Sequence, residues 1–375
     1  MPYFQEVFMI ESFTNSKVLF TLPWNTAGIN GVAFIGNDKL AAANKKGDIL
    51  IWNLTNPDGK TPDPVRLLVG HTNEINRILV TPDGKNLISA SSDHTVKYWN
   101  LLNDQGEPGS VVLNDGFVPR GVVEKVEKVP TPPPPIQVKV VLQKPIHNLT
   151  NHKEWVLGLT QTPDGKILVT GDDKGMIIVW DLPAAKELRR WQATQWIRSL
   201  GISPDGKTVA ASQHTPFIRF KAGLEDYVPH FHLWDAESGR SKLDLSKEIK
   251  EGMSSVAFSP DGKWLAAGHG NTQTEKDQGK IFLIDPTTGK KIRELAGHPV
   301  GTNDLAFHPD GKHLFSCGRD QQIKIWALQD GKLVHEFGKF ADRGVWINSI
   351  SISLDGKLLA AADGAGHVLI YSLTT

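Results

Sequence analysis

The 375-residue sequence has few of the features that mark membrane, disulfide-linked or highly charged proteins. Its single cysteine, Cys317, cannot form an internal disulfide and leaves no cysteine pair for a metal or haem motif. The 41 basic and 41 acidic side chains give no formal net charge, so the composition does not support nucleic-acid or membrane partners. No apolar run is long enough to span a bilayer. We therefore expect a soluble globular protein.

The first 20 residues lack the basic start, apolar run and small-residue cleavage site of a signal peptide. A cytoplasmic location is therefore expected, with export of a longer parent chain left open. Nucleophile elbows, phosphate-binding loops and paired-carboxylate signatures are also missing from the sequence. We therefore predict no catalytic residue and no cofactor.

What the sequence does contain is a recurring turn, Asp-Gly-Lys, between short apolar runs. Counted from the residue before Asp, its copies begin at Pro82, Pro163, Pro204, Pro260, Pro309 and Leu354. The intervals between them are 81, 41, 56, 49 and 45 residues. A period of about 40–45 residues with four short strands per unit is typical of propeller blades. Residues 298–337 show the pattern best, because turn residues there separate four strand-like runs.

These repeats resemble those of the WD-repeat β-propeller family. Gly-His pairs precede a first strand at Gly70-His71 and Gly297-His298. The third strands end in Trp-Asp pairs or related forms: Trp52-Asn53, Trp99-Asn100, Trp180-Asp181, Trp234-Asp235, Ile284-Asp285, Trp326-Ala327 and Tyr371-Ser372. The resemblance covers nearly the whole chain and implies an all-β fold, a seven-bladed β-propeller of four-stranded antiparallel blades. The Pro-Asp-Gly-Lys turns look like those of bacterial members of the family.

The two ends of the chain are predicted to share the last blade of a single domain, residues 1–375. The last repeat lacks a fourth strand, and residues 16–23 resemble the missing one, so this N-terminal strand closes the ring. The predicted blades cover residues 27–71, 72–151, 152–192, 193–245, 250–297, 298–338 and 344–375.

Three insertions interrupt the repeats. The first, residues 102–144, lies between the third and fourth strands of blade two; a degenerate eighth blade is the alternative. It contains a possible strand pair, residues 121–129 and 136–143, around the proline run 130–135, which is either a polyproline spacer or an SH3-type ligand. The other two, residues 213–230 and 269–279, join strands two and three of blades four and five. They are expected side by side on one rim, where Phe217, Phe220 and Tyr227 could widen a binding surface.

In the family, a His, a Ser or Thr, an Asp and a Trp form a structural hydrogen-bond network within a blade. Two blades carry the full set: His71, Ser89, Asp93 and Trp99, and His298, Ser316, Asp320 and Trp326. Blade three has His152, Thr170 and Trp180, but Lys174 stands where Asp is expected. Because burial and a Trp partner make such a trio a frame for the fold, we do not interpret it as a hydrolase triad.

A binding surface is predicted at the entrance of each innermost strand. Counted back from the first residue of each turn, the seventh residue is almost always apolar. Because side chains alternate along a strand, the sixth and eighth residues lie on the other face of the strand. These two sets surround the mouth of the central channel, where the resemblance implies a protein or peptide partner. The candidate partner-binding residues are Trp155, Trp196, Trp346, Arg198, Asn30, Asn76, Asn303, Asn348 and Glu74. Trp and Arg are typical of binding hot spots; alternatively, the tryptophans cover the channel and the Asn side chains hold water.

Three functions remain in competition. The sequence favours a non-catalytic protein-interaction scaffold of unspecified oligomeric state, ahead of a structural subunit of a larger assembly. The third is a metal-dependent propeller enzyme that uses His214, His230, His232 and His269 of blades four and five, because converging imidazoles can bind zinc. The alternative for these histidines is a solvated or capping role.

Overall fold

The computed structural model describes residues 13–24, 27–55, 59–102, 106–113, 134–213, 229–250, 252–270, 279–337 and 345–373. These residues form 30 β-strands and one short 3-10 helix, Phe13–Asn15. The strands assemble into seven sheets. The prediction of an all-β, seven-bladed propeller is thus confirmed.

The strands are numbered along the chain, and each blade is given from the channel outwards. Strand β1 (Lys17–Pro23) belongs to blade seven. Blade one contains β2 (Ile29–Ile35), β3 (Lys39–Asn44), β4 (Ile49–Asn53) and β5 (Pro64–Leu68). Blade two contains β6 (Ile75–Val80), β7 (Asn86–Ser91), β8 (Val96–Asn100) and β11 (His147–Leu149). Blade three contains β12 (Val156–Gln161), β13 (Ile167–Asp172), β14 (Met176–Asp181) and β15 (Lys186–Gln192). Strands β9 (Glu107–Leu113) and β10 (Ile136–Gln143) form the insertion of blade two.

Blade four contains β16 (Ile197–Ile202), β17 (Thr208–Gln213), β18 (His230–Asp235) and β19 (Ser241–Asp244). Blade five contains β20 (Met253–Phe258), β21 (Leu265–His269), β22 (Ile281–Ile284) and β23 (Lys291–Leu295). Blade six contains β24 (Thr302–Phe307), β25 (His313–Gly318), β26 (Ile323–Ala327) and β27 (Leu333–Phe337). Blade seven contains β28 (Ile347–Ile352), β29 (Leu358–Asp363), β30 (His367–Ser372) and β1.

Each Asp-Gly-Lys turn joins the first two strands of a blade, and in five of the six turns a Ser or Thr and the Asp make the same local contacts. In blade two, Asp83 Oδ1 accepts hydrogen bonds from the main-chain N–H of Lys85 at 3.0 Å and from Thr81 Oγ1 at 2.7 Å. The six turn glycines have φ between 67° and 73°, a left-handed conformation that glycine adopts without steric cost. The repeated tripeptide is therefore explained by turn geometry alone.

The blades pack in a closed ring with one apolar cluster at each interface. The innermost strands contact one another in the order β2, β6, β12, β16, β20, β24 and β28, and β28 contacts β2. Seven buried clusters lie between neighbouring blades. Because side chains alternate along a strand, Leu87 of β7 packs towards blade one, whereas its neighbour Ile88 packs towards blade three.

The N-terminal strand completes the seventh sheet. Strand β1 pairs antiparallel with β30, from Lys17 opposite Ser372 to Pro23 opposite His367, with a bulge between Val18 and Phe20. Pairing of the chain ends gives the last blade its outer strand.

The insertion of blade two extends blade one instead of forming a sheet of its own. Strands β9 and β10 pair antiparallel, and β10 also pairs parallel with β5, so that the sheet of blade one has six strands. The predicted strand at residues 136–143 is therefore present, but its partner is β9; residues 121–129 and 130–133 lie outside the described part of the chain. Phe217, Phe220 and Tyr227 also lie outside it. In the residues that the structure does describe, no helix is long and apolar enough to cross a membrane.

Candidate functional site: the mouth of the channel

Three blades contain a buried chain of hydrogen bonds that links the outer and inner parts of the blade. In blade two, Trp99 Nε1 donates to Ser89 Oγ at 2.8 Å, and His71 bonds Ser89 through Nε2 and Asp93 through Nδ1, both at 2.7 Å. The set His298, Ser316, Asp320 and Trp326 repeats these contacts at 2.7–2.8 Å in blade six. Burial lowers the pKa of His71, which favours the neutral imidazole that such a chain requires.

Blade three obtains its carboxylate from a position that the spacing did not indicate. His152 Nε2 lies 2.7 Å from Thr170 Oγ1, which also accepts from Trp180 Nε1 at 2.8 Å. The Nδ1 atom lies 2.8 Å from Asp172 Oδ2, two residues before Lys174. The last residue of β13 thus replaces the turn residue used by the other two blades.

The mouth of the channel has a buried ring beneath a partly exposed one. The residues seven places before the turns are all buried: Ile29, Ile75, Val156, Ile197, Met253, Thr302 and Ile347. Trp155 and Trp346 are each 46% exposed, and Trp196 is partly buried. A cavity of about 220 Å³ opens here, lined by Asn30, Lys45, Glu74, Asn76, Arg77, Leu157, Arg198, Asn303, Arg319, Trp346 and Asn348. Trp346 therefore borders the cavity, whereas Trp155 and Trp196 are not among its lining residues.

The asparagines of the mouth connect neighbouring blades. Each donates from Nδ2 to the main-chain carbonyl oxygen of the buried residue in the next blade: Asn30 to Ile75, Asn76 to Val156, Asn303 to Ile347 and Asn348 to Ile29, at 2.8–3.1 Å. In blade five, Ser254 bonds the carbonyl oxygen of Thr302 in the same way. Only Leu157 and Arg198 of this series do not make the bond. The asparagines thus have a structural role at the mouth.

The mouth is also rich in positive charge. Lys45, Arg77, Arg198 and Arg319 line the cavity, and Glu74 is the one carboxylate among the lining residues. Glu74 accepts a bond from Asn30 at 2.5 Å and lies 3.9 Å from Lys45 Nζ. This concentration of cationic groups is local, because the chain as a whole carries no net charge.

Sequence reasoning found Arg198 and missed Lys45, Arg77 and Arg319, although each has a positional signal. Lys45 and Arg319 come seven residues before the third-strand residues Trp52 and Trp326. Each is the first residue after the second strand of its blade, where the main-chain N–H donates to the carbonyl oxygen of a mouth residue at 2.9–3.0 Å. The pairs are Lys45–Gly28, Ser92–Glu74, Asp173–Trp155, Gly270–Gly252, Arg319–Gly301 and Gly364–Trp346. A second fixed position therefore belongs to the rim of the mouth.

Below the mouth, small side chains and one ion pair line the channel. The residues five places before the turns are Gly31, Arg77, Gly158, Ser199, Ser255, Asp304 and Ser349. Arg77 Nη1 lies 3.2 Å from Asp304 Oδ1, so blade two contacts blade six across the channel. The small polar side chains and the ion pair thus give this part of the channel a largely polar lining.

Of the four histidines proposed as metal ligands, the three that the structure describes, His230, His232 and His269, do not form a cluster of potential metal ligands. The rings of His230 and His232 stack at 5.8 Å, and His232 bonds Gln213 at 2.9 Å and lies 3.4 Å from Asp244. His269 is buried, and its Nδ1 accepts from the N–H of Gly279 at 3.4 Å. His214 lies outside the described residues. These contacts agree with the capping role rather than with a shared metal ion.

A different group of potential metal ligands lies at the turn of blade six, on the opposite face. His308, Asp310 and His313 have ligand atoms within 4.8 Å of one another. His313 Nδ1 lies 2.6 Å from Asp310 Oδ2, and His308 Nε2 lies 3.0 Å from the carbonyl oxygen of Gly356. The ring of Phe13 packs on the edge of both histidines, at 5.7 and 5.1 Å. His308 occupies the place of the Ser or Thr that caps the other turns, so we interpret the group as a turn cap.

A closed ring of seven blades with these buried His–Ser/Thr–Trp contacts defines a propeller of the WD-repeat class. The family model described as "WD domain, G-beta repeat" matches residues 62–100, 143–181, 245–274 and 289–327. Together the matched repeats and the fold show that the chain is a seven-bladed β-propeller that contains WD40 repeats.

The chain is similar to several curated proteins of this class. Protein groucho of Drosophila melanogaster is 23% identical over 88% of this chain and 36% of its own length. Cross-pathway control WD-repeat protein 2 of Flammulina velutipes is 23% identical over 78% of this chain and 90% of its own. Target of rapamycin complex subunit wat1 of Schizosaccharomyces pombe is 26% identical over 48% of this chain and 50% of its own. The chain thus spans about a third of groucho and half of wat1. All three relatives are eukaryotic, so they give no support to a bacterial origin of the repeats.

Proposed function

We propose that this protein is a non-catalytic interaction scaffold that presents the mouth of its channel to a protein or peptide partner. The observation that carries the proposal is the combination of exposed tryptophans and cationic groups at one opening of a rigid ring. Trp155 and Trp346 keep nearly half of their surface exposed, although tryptophan is usually well buried. Large aromatic side chains and arginines are the residues that carry most binding energy in protein interfaces.

The hydrogen bonds of the mouth support a rigid binding surface. The four asparagines and Ser254 fix neighbouring blades to one another, so the partner would meet a preformed site. A preformed site loses little conformational entropy when the partner binds. The asparagines were predicted to contact the partner, but they instead connect neighbouring blades beneath the binding surface. In this proposal the tryptophans and arginines contact the partner.

The second candidate, a structural subunit of a larger assembly, uses the same surface and differs in the lifetime of the complex. One of the similar proteins, wat1, is described as a subunit of a target of rapamycin complex. A permanent complex would favour a larger and more apolar interface than the polar mouth provides. The first candidate is therefore preferred.

The proposal is tested by capture of partners with the purified full-length chain. The triple variant Trp155→Ala, Trp196→Ala and Trp346→Ala should lose proteins that the unchanged chain captures, because it removes the aromatic contacts and leaves the asparagine bonds intact. Leu354→Ala is the matched control, since Leu354 is 70% exposed on the opposite face. Circular dichroism would verify that both variants fold. Equal capture by the triple variant and the control would refute binding at the mouth.

A further inference from the structure

The most informative residue of the mouth is Arg198, because it departs from the series to which it belongs. At the same position in five other blades, a short polar side chain bonds the next blade. Arg198 makes no hydrogen bond or ion pair with any residue that the structure describes. It nevertheless lies in the wall of the cavity, partly buried. A guanidinium group in this environment lacks the acidic partner that usually accompanies it.

The surrounding charges do not supply that partner. The guanidinium group of Arg77 is held by Asp304, and that of Arg319 lies over the ring of Trp346 at 4.4 Å. Burial, together with the nearby Arg77 and Arg319, lowers the pKa of Arg198 to about 10, so the group is still charged at pH 7. Glu74 is close enough to oppose this effect, but it is already bonded to Asn30.

The balance of charge around the cavity is positive. Four cationic side chains line it, whereas the acidic groups in and just below it are Glu74 and Asp304. Two positive charges therefore remain uncompensated within one small opening. An incoming anion would gain from this field, and it would supply the acceptor atoms that Arg198 lacks.

The dimensions of the opening select the kind of anion. The cavity holds about 220 Å³, which is below the roughly 300–1,000 Å³ typical of small-molecule sites. It suits one inserted side chain, and the exposed faces of Trp155 and Trp346 are available to the residues on either side. A nucleic acid would require a wider basic surface, and the neutral chain does not provide one.

We infer that the mouth binds an acidic peptide segment, with one anionic side chain inserted into the cavity to pair with Arg198. The chemistry required is that of a planar or tetrahedral oxyanion, either the carboxylate of Glu or Asp or the phosphoryl group of a phosphorylated residue. Arg198 forms the charged hydrogen bonds, and Arg319 and Lys45 contribute to the field. This inference rests on the proposed function and specifies the partner.

The experiment uses fluorescein-labelled short peptide mixtures with one fixed central residue and uncharged residues elsewhere. The fixed residue is Glu, phosphoserine, Gln or Lys, and binding to the full-length chain is measured by fluorescence anisotropy. We expect the Glu or the phosphoserine mixture to bind at least about tenfold more tightly than the Gln mixture. Comparison of these two anionic mixtures distinguishes the carboxylate from the phosphoryl group.

Variants assign the effect to Arg198. Arg198→Gln should remove the preference for the anionic mixtures over the Gln mixture. Arg240→Gln is the matched control, because Arg240 is exposed on a turn of the same blade. Thermal unfolding of both variants checks that the fold is retained.

In the direct binding measurements, three results would overturn the inference. They are a preference for the Lys mixture, an anion preference that survives in Arg198→Gln, and an Arg198-dependent affinity for a single-stranded oligonucleotide that exceeds that for the peptides. If captured partners depend on the tryptophans but not on Arg198, the inference fails while the proposed scaffold function stands. If capture is insensitive to the tryptophans and the peptides still show the Arg198-dependent preference, only the wider proposal fails.

Discussion

The side-chain amide of Asn348 in the last blade donates a hydrogen bond of 2.9 Å to the main-chain carbonyl oxygen of Ile29 in the first blade. Ile29 is fully buried, so its carbonyl group has little access to water as an alternative partner. The bond spans the interface at which the two ends of the propeller sequence meet. It therefore contributes to the closure of the ring at the mouth, in addition to the pairing of β1 with β30 at the outer edge.

Replacement of Asn348 by Leu should destabilise the protein by about 1–3 kcal/mol, because it leaves the buried carbonyl oxygen of Ile29 unsatisfied. The free energy of unfolding in urea measures the effect. Asn86→Leu is the control, since its partly buried side chain makes no hydrogen bond in the described structure. Equal stability of the two variants would show that the bond does not contribute to ring closure.

The carboxylate of Asp172 should be far more important to blade three than the ammonium group of Lys174. Asp172 accepts main-chain hydrogen bonds from Lys174 and Met176 at 3.0 and 2.9 Å and bonds His152 at 2.8 Å. Asp172→Ala removes all three acceptor contacts and should cost about 2–4 kcal/mol. Lys174→Ala, at an exposed position, should change stability by less than about 0.5 kcal/mol. The free energy of unfolding in urea is measured for both variants. A larger loss of stability in Lys174→Ala than in Asp172→Ala would contradict the assignment of Asp172 as the carboxylate of the network.

Much of this propeller could be predicted because its information is local. The Asp-Gly-Lys turns and the third-strand tryptophans recur with regular spacing, and each is explained by contacts within a few residues or within one blade. The ring followed from the number of repeats and the spare strand at residues 16–23. The parallel pairing of β10 with β5 could not be found in this way, because it joins strands of different blades and depends on packing that no local pattern encodes.

The position of the mouth could be predicted from the sequence, but its hydrogen bonds and its local charge could not. The alternation of side chains located Arg198 and Asn303, but it did not reveal that the asparagines bond the next blade. It also omitted Arg319, because this residue reaches the mouth from the loop between β25 and β26. The cationic side chains at the cavity come from three separate positions of the repeat. A prediction based on one face of the innermost strand could therefore find only some of them.

Stability should decrease as the pH falls, because the buried network of blade two requires a neutral His71 and a charged Asp93. Burial lowers the pKa of His71, so below the unfolded value of 6.5 the unfolded chain binds the proton more readily and the folded state loses stability. For Asp93, burial raises the pKa, but the hydrogen bonds from His71, from Thr95 and from the main-chain N–H of Thr72 together outweigh burial and hold the pKa of Asp93 well below 3.8. Its contribution is present above pH 3.8 and disappears as the pH falls towards the folded-state value.

The measurement is the free energy of unfolding between pH 7 and pH 5, where the histidine contribution changes. The His71→Gln variant should be less stable than the unchanged protein at pH 7 and should show a shallower loss towards pH 5. His94→Gln is the control, because His94 lies on the neighbouring turn, outside the network. Parallel pH profiles for the unchanged protein and His71→Gln would contradict a neutral, buried His71.

The closing strand offers a comparison of two leucines within one element. Leu22 of β1 is fully buried in the cluster between blades seven and one, whereas Leu19 is 39% exposed and lies in the bulge between Val18 and Phe20. Leu22→Ala should cost about 2–5 kcal/mol, because it creates a cavity at the interface that closes the ring. Leu19→Ala should cost less than about 1 kcal/mol, since its side chain gives up little buried surface. Urea unfolding measures both changes, and limited proteolysis of the N-terminal segment reports whether β1 separates from β30 before the remaining blades unfold. A similar cost for the two variants would mean that β1 does not pack against blade one in the folded protein.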